Sequence, residues 1–532
     1  MGACVRMKAW IGAVFLVAAN HGVLAQSATS AAAHDAHHQQ PPSASAFSKH
    51  GPPPREKRKR GVSPGYARQW RAALAMGDQG DAAQADRALA KVMADREFAA
   101  LTAGEQRVTW SRAAWMAIRQ DDFERARERV SRAIGTDPSD PDDLYLLAQL
   151  EDHQGNREAA ARHLRDLALR WPRMLDRLDT GAVLRIARQA PDAAPVRVQL
   201  LEALLHAAWD GNGMGVGDLW YLLALDYQAR GDADGVRRAV ALTTSPQALV
   251  KFRADRRFDA LLDRRDATLD IAAAARRRVD HLRRLATERP RSLEVRMELT
   301  YAQLALGRYA EVVSLADETL AALSNAPADA LPFDDPDHAV WILNNRAIAM
   351  RGLGRLNDAQ ADLVRASGMD EAGGANVGPM LNLGQFLCQR GRPDEARAMI
   401  ERVGDMSGYG RMVQASIQHC AAVQQNDAVV ARRALDYLRD HHEDAREIWI
   451  WALVEAGRMD DAAQALIAAL DAPASRGDML AALQDYLEPA PLPAFEPVRK
   501  RWRALLARED VRQAVAKVGR IEHQPVFNVG GI

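Results

Sequence analysis

The fold is decided by two consecutive segments of equal length: WSRAAWMAIRQDDFERARERVSRAIGTDPSDPDD at residues 110–143 and LYLLAQLEDHQGNREAAARHLRDLALRWPRMLDR at residues 144–177. In each segment the apolar residues predict two amphipathic helices joined by a short turn. Corresponding residues recur after 34 positions, a period typical of helical solenoids. In such a fold, stacked repeats bury a shared core and present an extended surface. The two segments therefore predict a binding surface rather than a single catalytic cleft.

The residues that define the period have steric roles. Ala148 and Ala160 are expected where the two helices of a pair approach most closely, and a larger side chain would separate them. Gly155 suits a left-handed turn, in which a Cβ atom is costly. Pro138 and Pro172 end the second helix of each pair, because the residue before proline is disfavoured in helical geometry.

The same positions carry a family resemblance. Each segment has a large residue, small or apolar residues, a turn residue, a small residue and a closing proline, namely Trp110, Ala113, Ala114, Asp121, Ala126 and Pro138, then Leu144, Leu147, Ala148, Gly155, Ala160 and Pro172. This pattern resembles the tetratricopeptide repeat (TPR) family, over residues 70–470 of this chain. The resemblance implies an all-α fold, a right-handed α-solenoid of stacked antiparallel helix pairs.

Further turn residues continue the series along the chain. They are Gly80, Gly231, Gly307, Gly354, Gly391, Asn426 and Gly457. From Gly354 onward, successive turn residues lie 37, 35 and 31 positions apart, close to one repeat length. The gaps from 155 to 231 and from 231 to 307 are each long enough for one additional degenerate repeat.

The N-terminus has the three parts of a signal peptide. Arg6 and Lys8 are positive, Ala9 to Ala19 is apolar, and Val23-Leu24-Ala25 fits a cleavage site. We expect a Sec-type signal peptide at 1–25 and a periplasmic or secreted protein. The alternative is a buried core helix. Residues 26–64, rich in Ala, Pro and His and ending near a basic run, predict a disordered linker.

The remaining chain divides into two repeat blocks and an end region. We expect an N-terminal TPR-like block at 65–265, a C-terminal TPR-like block at 266–472, and capping helices with a tail at 473–532. The similar segments Asp95–Leu101 and Asp255–Leu261 are typical of inserts that end one block and begin another. The tail from His523 to Ile532 is predicted to be disordered, with addition to a partner's sheet edge as the alternative.

Charge and motifs argue against several function classes. Lys plus Arg and Asp plus Glu number 70 each, so no net charge attracts nucleic acid. The sequence has no phosphate-binding loop, nucleophile elbow, zinc-protease motif or Cys pair at metal-binding spacing. We therefore predict no enzyme and no catalytic, cofactor-binding or metal site. The polar segment His441–Asp444 is interpreted as a capping turn rather than a metal site.

Two cysteines follow the predicted signal peptide. Cys388 and Cys420 both fall within predicted helices, where small buried residues are common. We favour two buried thiols, with a disulfide as the alternative in an oxidising compartment.

The resemblance also implies where a partner binds. In TPR arrays the groove contacts come mostly from the first helix of each pair, on the face away from the second helix. By that register the partner-binding groove candidates are Asn344, Asn345, Arg346, Asn382 and Gln385. Stacked amides at Asn345 and Asn382 could hold an extended ligand. Alternatively, these residues cap turns or face water.

We expect an exported TPR-like scaffold that binds a protein or polymer partner in a cell-envelope assembly, with exopolysaccharide export as one setting. Two alternatives remain: a peptidoglycan-active enzyme resembling the lytic transglycosylases built on helical superhelices, and the periplasmic arm of an outer-membrane system. The first needs a catalytic domain after the helices, and only the short region after Leu470 is available for it.

Overall fold

The computed structural model describes residues 61–77, 81–189, 195–327, 331–371, 374–404, 406, 408–489 and 492–528. The predicted signal peptide, the linker up to residue 60 and the turn residue Gly80 lie outside these residues. The described chain is almost entirely helical, and consecutive helices pack as antiparallel pairs. The predicted all-α solenoid of stacked helix pairs is confirmed.

Contacts divide the chain into two compact units, and the first unit ends at Trp209. Its helices are α1 (Pro64–Met76), α2 (Ala82–Ala94), α3 (Ala103–Ile118), α4 (Phe123–Thr136), α5 (Pro141–His153), α6 (Arg157–Arg170), α7 (Thr180–Gln189) and α8 (Pro195–His206). Short 3-10 turns at Arg96–Ala100 and Pro172–Arg177 separate helix pairs.

The second unit begins at Asp210 and continues to the end of the chain. Its helices are α9 (Leu219–Ala229), α10 (Ala233–Leu242), α11 (Pro246–Ala254), α12 (Ile271–Glu288), α13 (Leu293–Ala305), α14 (Tyr309–Asn325), α15 (Ala339–Gly352), α16 (Leu356–Ser367), α17 (Val377–Gln389), α18 (Pro393–Glu401), α19 (Gly408–Gln424), α20 (Ala428–Asp440), α21 (Arg446–Glu455), α22 (Met459–Asp471), α23 (Pro473–Ala482), α24 (Glu496–Leu506) and α25 (Glu509–Val518). Short strands are β1 (Asp370–Glu371), antiparallel to β2 (Gly374–Ala375), and β3 (Asp485–Leu487), parallel to β4 (His523–Phe527).

The predicted turn residues adopt the left-handed conformation. Their φ angles lie between 57° and 78° at Asp121, Gly155, Gly231, Gly307, Gly354, Gly391, Asn426 and Gly457. Each follows the first helix of a pair, where glycine reaches this φ at no steric cost. The paired small residues Ala126 and Ala160 are fully buried between helices. The two long gaps between turn residues contain α7 with α8 and α11 with α12, as the spacing predicted.

The end of the second unit packs against its beginning. Gly519 forms an isolated antiparallel bridge with Asp255, and Arg253 donates from Nε to Glu522 at 3.0 Å. The Lys251 ammonium, at the end of α11, pairs with Asp478 in α23. These contacts join α11 to the C-terminal helices within the second unit, which begins at Asp210.

The C-terminal tail is ordered over residues 523–527, where the sequence had predicted disorder. β4 pairs with β3 in the same chain, and the ring of Phe527 packs on Tyr309 at a centroid distance of 5.5 Å. Burial of Gln524 and Val526 in alternation with exposed neighbours gives the strand its packed face. The tail therefore adds to its own unit.

The loop before α15 supplies a helix cap. The buried Asp335 carboxylate accepts hydrogen bonds from the backbone amides of Leu293, at 2.7 Å, and Glu294, at 3.0 Å. These amides open α13 and have no partner within the helix. A residue of a later loop thus satisfies the start of an earlier helix.

Candidate functional site

The predicted groove asparagines lie inside the helix stack. Asn382 Nδ2 donates to Asn344 Oδ1 at 2.8 Å, which links α17 to α15. Asn345 Nδ2 donates to Thr300 Oγ1 at 2.9 Å, which links α15 to α13. All three side chains are buried. Their amides therefore join successive first helices, and solvent does not reach them.

The other two candidates are partly exposed. Arg346 donates from Nε to Asp362 Oδ2 at 2.8 Å and also pairs with Asp317, so its charge is balanced by α16 and α14. Its pKa is raised, first by the hydrogen bond to Asp362. Gln385 on α17 is half-buried. The side chains that the sequence placed in one site are thus divided between the core and the surface.

Cys388 and Cys420 form a disulfide, in place of the two free thiols that we favoured from the sequence. The cysteines stand on facing sides of α17 and α19, with their Cα atoms 6.4 Å apart, within the range that a disulfide requires. The Gln424 amide donates to the carbonyl of Cys388 at 2.9 Å. The bridge therefore joins two first helices of neighbouring repeats.

One accessible apolar face among the described residues of the first unit lies on α3. We call the side of a first helix that points away from its second helix the A-face. On α3 the A-face carries Val108, which is 38% exposed, and Trp115, which is 41% exposed. No aromatic ring among the described residues stacks on Trp115. Arg112 and Arg119 lie one turn to either side of it.

The corresponding face in the second unit is covered. On α21 the A-face carries Trp451, which stacks on Trp502 of α24 with centroids 4.3 Å apart and planes at 13°. Phe495 lies against the same indole at 6.1 Å. Leu492, from the proline-rich connector, packs in the apolar cluster that contains both disulfide cysteines.

Residues 492–506, which we call the covering segment, also donate hydrogen bonds to backbone carbonyls of α21. Arg501, beside Trp502, donates from Nη1 to the carbonyls of Val454, at 3.1 Å, and Glu455, at 2.6 Å. These carbonyls belong to the last turn of α21, where the helix end favours a cation, and the Val454 carbonyl also accepts from the amide of Gly457 at 3.1 Å. The segment thus binds both the aromatic side chain and the end of the helix.

An arginine beneath this covering segment lacks a carboxylate partner among the described residues. Arg351 Nε is shielded from solvent and makes no hydrogen bond. Burial, together with the charge of Arg499, lowers the pKa of Arg351 to about 10. The Glu488 carboxylate is paired with Arg499 instead.

The segment His441–Asp444 borders a cavity of about 290 Å³. Residues 442–444 form a 3-10 turn before α21, and Glu443 pairs with Arg446. The turn gives α21 no side-chain cap, contrary to the capping role that we predicted. Trp449, three alanines of α22 and Ala472, which follows α22, form the apolar wall of the cavity. Within the described ranges, no cluster of three or more His, Cys, Asp or Glu residues could hold a metal ion.

The paired helices, left-handed turns and small interface residues define a TPR-like α-solenoid, a class of scaffold typical of protein–protein interaction. Across the described helices, none combines the length and apolar character that a membrane crossing needs. No protein-family model matches the chain, and no curated protein sequence matches it.

Solved structures similar to this chain include TPR proteins. A tetratricopeptide repeat protein from Parabacteroides merdae is 12% identical, with a TM-score of 0.32, over 58% of this chain and 94% of its own. Yeast Tom70 is 11% identical, with a TM-score of 0.32, over 85% of this chain and 99% of that chain. The Cut9–Hcn1 hetero-tetramer of the APC/C is 12% identical, with a TM-score of 0.30, over 86% of this chain and 86% of that chain. Because these TM-scores are low, the fold class is assigned from the stacking of the helices and not from the similar structures.

Proposed function

We propose that this chain is an exported TPR-like scaffold that binds a protein or polymer partner in a cell-envelope assembly, with exopolysaccharide export as one setting. The observation that carries the proposal is the open A-face of α3, where Val108 and Trp115 are exposed on a rigid helix. Exposed aromatic residues next to arginines are the side chains most enriched at interface hot spots. Binding would occur by burial and complementary charge, without a chemical step.

Two observations support export. The N-terminal residues have the pattern of a Sec-type signal, and Cys388 and Cys420 are bridged. Disulfides persist in oxidising compartments and are rare in the cytosol.

Crosslinking in the native envelope, followed by mass spectrometry, tests the proposal. We expect one protein or glycan to be captured reproducibly by the chain, and captured less by Trp115→Ala. Fractionation should place the chain outside the cytoplasm, and thiol alkylation should find both cysteines blocked. Failure to capture any partner, or a cytoplasmic chain with free thiols, would refute it. Cleavage of peptidoglycan by the purified chain would instead favour the enzymatic alternative.

A further inference from the structure

Arg351 is a charged residue at a position where the repeat needs none. It stands in the last turn of α15, three residues before the left-handed turn residue Gly354. The same position in three other repeats of the second unit holds a buried, uncharged side chain, namely Leu304, Cys388 and Val454. Stacking of the helix pairs therefore does not require a charge here.

The guanidinium of Arg351 makes no hydrogen bond or ion pair with the described residues. Its Nε is shielded from solvent without a partner. The two Nη atoms are not shielded in this way, and the residue as a whole is half-buried. The end of α15 offers a cation a favourable dipole, but that dipole does not replace hydrogen-bond acceptors. The terminal Nη groups therefore present unpaired donors to solvent.

The charges around Arg351 do not compensate it. Burial first, and the like charge of Arg499 second, lower the pKa of Arg351 to about 10, so the guanidinium stays charged at neutral pH. The Glu488 carboxylate pairs with Arg499 and with Arg503. A partly buried cation without a counter-ion lowers stability, and an anion that binds it raises stability. The charge left uncompensated here is a single one.

Tyr309, the first residue of α14, supplies a neutral donor beside this charge. Burial raises the pKa of the Tyr309 hydroxyl, and the nearby charge of Arg351 opposes that shift. The ring lies against the end of α15, since a Cβ atom on Gly352 would stand 2.5 Å from its Cε2. Phe527 fixes the ring from another side. The hydroxyl is not shielded from solvent and has no hydrogen-bond partner among the described residues.

We propose that Arg351 binds a small carboxylate, which accepts from its two Nη groups and from the Tyr309 hydroxyl. A carboxylate fits better than a phosphate dianion because a single charge is uncompensated. It fits better than chloride because its two oxygens match the paired N–H groups of a guanidinium. The bound anion screens Arg351 from Arg499 and so stabilises the covering segment in its place. This site goes beyond the proposed scaffold function and does not depend on it.

Thermal unfolding of the purified full chain, with acetate replacing chloride at constant ionic strength, tests the proposal. We expect acetate to raise the unfolding midpoint by about 2 °C, because it binds only the folded chain. Arg351→Leu should abolish this shift and should raise the midpoint in chloride, because the uncompensated charge is gone. Arg365→Leu, which removes an exposed arginine from the last turn of α16, is the matched control and should leave the acetate shift unchanged.

Tyr309→Phe is a second variant, which keeps the ring packed on Phe527. It should reduce the acetate shift and leave the midpoint in chloride nearly unchanged, because the hydroxyl has no partner to lose. Acetate should also slow hydrogen exchange in α15 and α24 of the unaltered chain.

Aspartate with both ends capped distinguishes a carboxylate carried on a polypeptide from a free one. A shift equal to that of acetate extends the site to both sources, and no shift restricts it to free carboxylates. No acetate shift in the unaltered chain, an acetate shift that survives Arg351→Leu, a larger shift with phosphate, or a lower midpoint of Arg351→Leu in chloride would overturn the proposal.

Discussion

Helix α3 in the first unit and helix α21 in the second are built from the same repeat, yet one A-face is open and the other is covered. Both helices bury small or apolar residues against their second helix and present a tryptophan on the opposite side. Trp451 is covered by the end of its own chain, whereas Trp115 is exposed. The difference lies in residues that the repeat leaves free, so those residues decide whether a repeat is available to a partner.

Removing the disulfide should produce the largest difference between the units. The bridge closes a loop with a sequence separation of 32, and a loop of that size stabilises a fold by about 3–4 kcal/mol. Replacing both residues, Cys388→Ala with Cys420→Ala, should therefore destabilise the second unit by about that amount. Alanine avoids leaving a buried hydroxyl without a partner. Hydrogen exchange should accelerate in α17 and α19 and stay unchanged in α3–α6; equal acceleration in both units would contradict this expectation.

Replacing Trp502 and Trp115 by alanine should lower the free energy of unfolding by unequal amounts. Trp502→Ala removes the ring stacked on Trp451 and should cost about 2 kcal/mol, because Trp502 is partly buried in an apolar cluster. Trp115→Ala removes an exposed ring and should stay within about 0.5 kcal/mol. Denaturant unfolding of both variants measures the costs, and comparable values would mean that Trp115 is covered in solution.

The capping of α3 and of α13 differs as well, and we expect a smaller difference in stability from it. Thr102 and Glu105 cap α3 locally, through a reciprocal capping box. Helix α13 has a local N-cap as well, because the Ser292 hydroxyl accepts from the amide of Val295 at 3.3 Å. Its amides at Leu293 and Glu294 additionally donate to Asp335, which lies about 40 residues later in the chain. We expect Asp335→Ala to cost about 1–2 kcal/mol and Thr102→Ala about 1 kcal/mol. Asp335→Asn, which keeps one acceptor, is the control and should fall between wild type and Asp335→Ala in urea unfolding.

The smallest expected effect depends on pH and is confined to the first unit. Burial is the main reason that the pKa of His163, on α6, lies below its usual 6.5. The unfolded chain therefore binds this proton more readily, so stability should fall as pH decreases through 6.5 toward the folded pKa. His163→Gln should remove that component. Unfolding free energies at several pH values measure it, and an identical pH slope in the variant would refute the assignment.

The fold could be predicted from sequence because its determinants are local. Gly155, Ala160 and Pro172 each act within one helix pair, where sterics alone select the residue type. The disulfide could not be predicted, because the facing of Cys388 and Cys420 depends on how neighbouring repeats stack. The same stacking brought Asn382 against Asn344 and buried both.

The site itself was not evident from the pattern. Trp115 was visible in the sequence, but its exposure depends on which A-faces the C-terminal segment covers. That segment joins residues far apart in the chain, and no periodicity reports such contacts. The available signal for this site in the sequence was a tryptophan at the same repeat position in both units, Trp115 and Trp451. The charged residues beside these two tryptophans have opposite signs.

The contacts of residues 519–522 with α11 and Asp255 have a consequence for folding. A linear repeat array gains its stability from neighbouring repeats and can fray from either end. In the second unit, Arg253 and Glu522 are 269 residues apart, so the last helices stabilise the first. Such long-range closure raises the contact order, which slows folding, and couples the repeats into one cooperative transition. The first unit, built from sequential contacts, is expected to form earlier and to lose its terminal repeats one at a time.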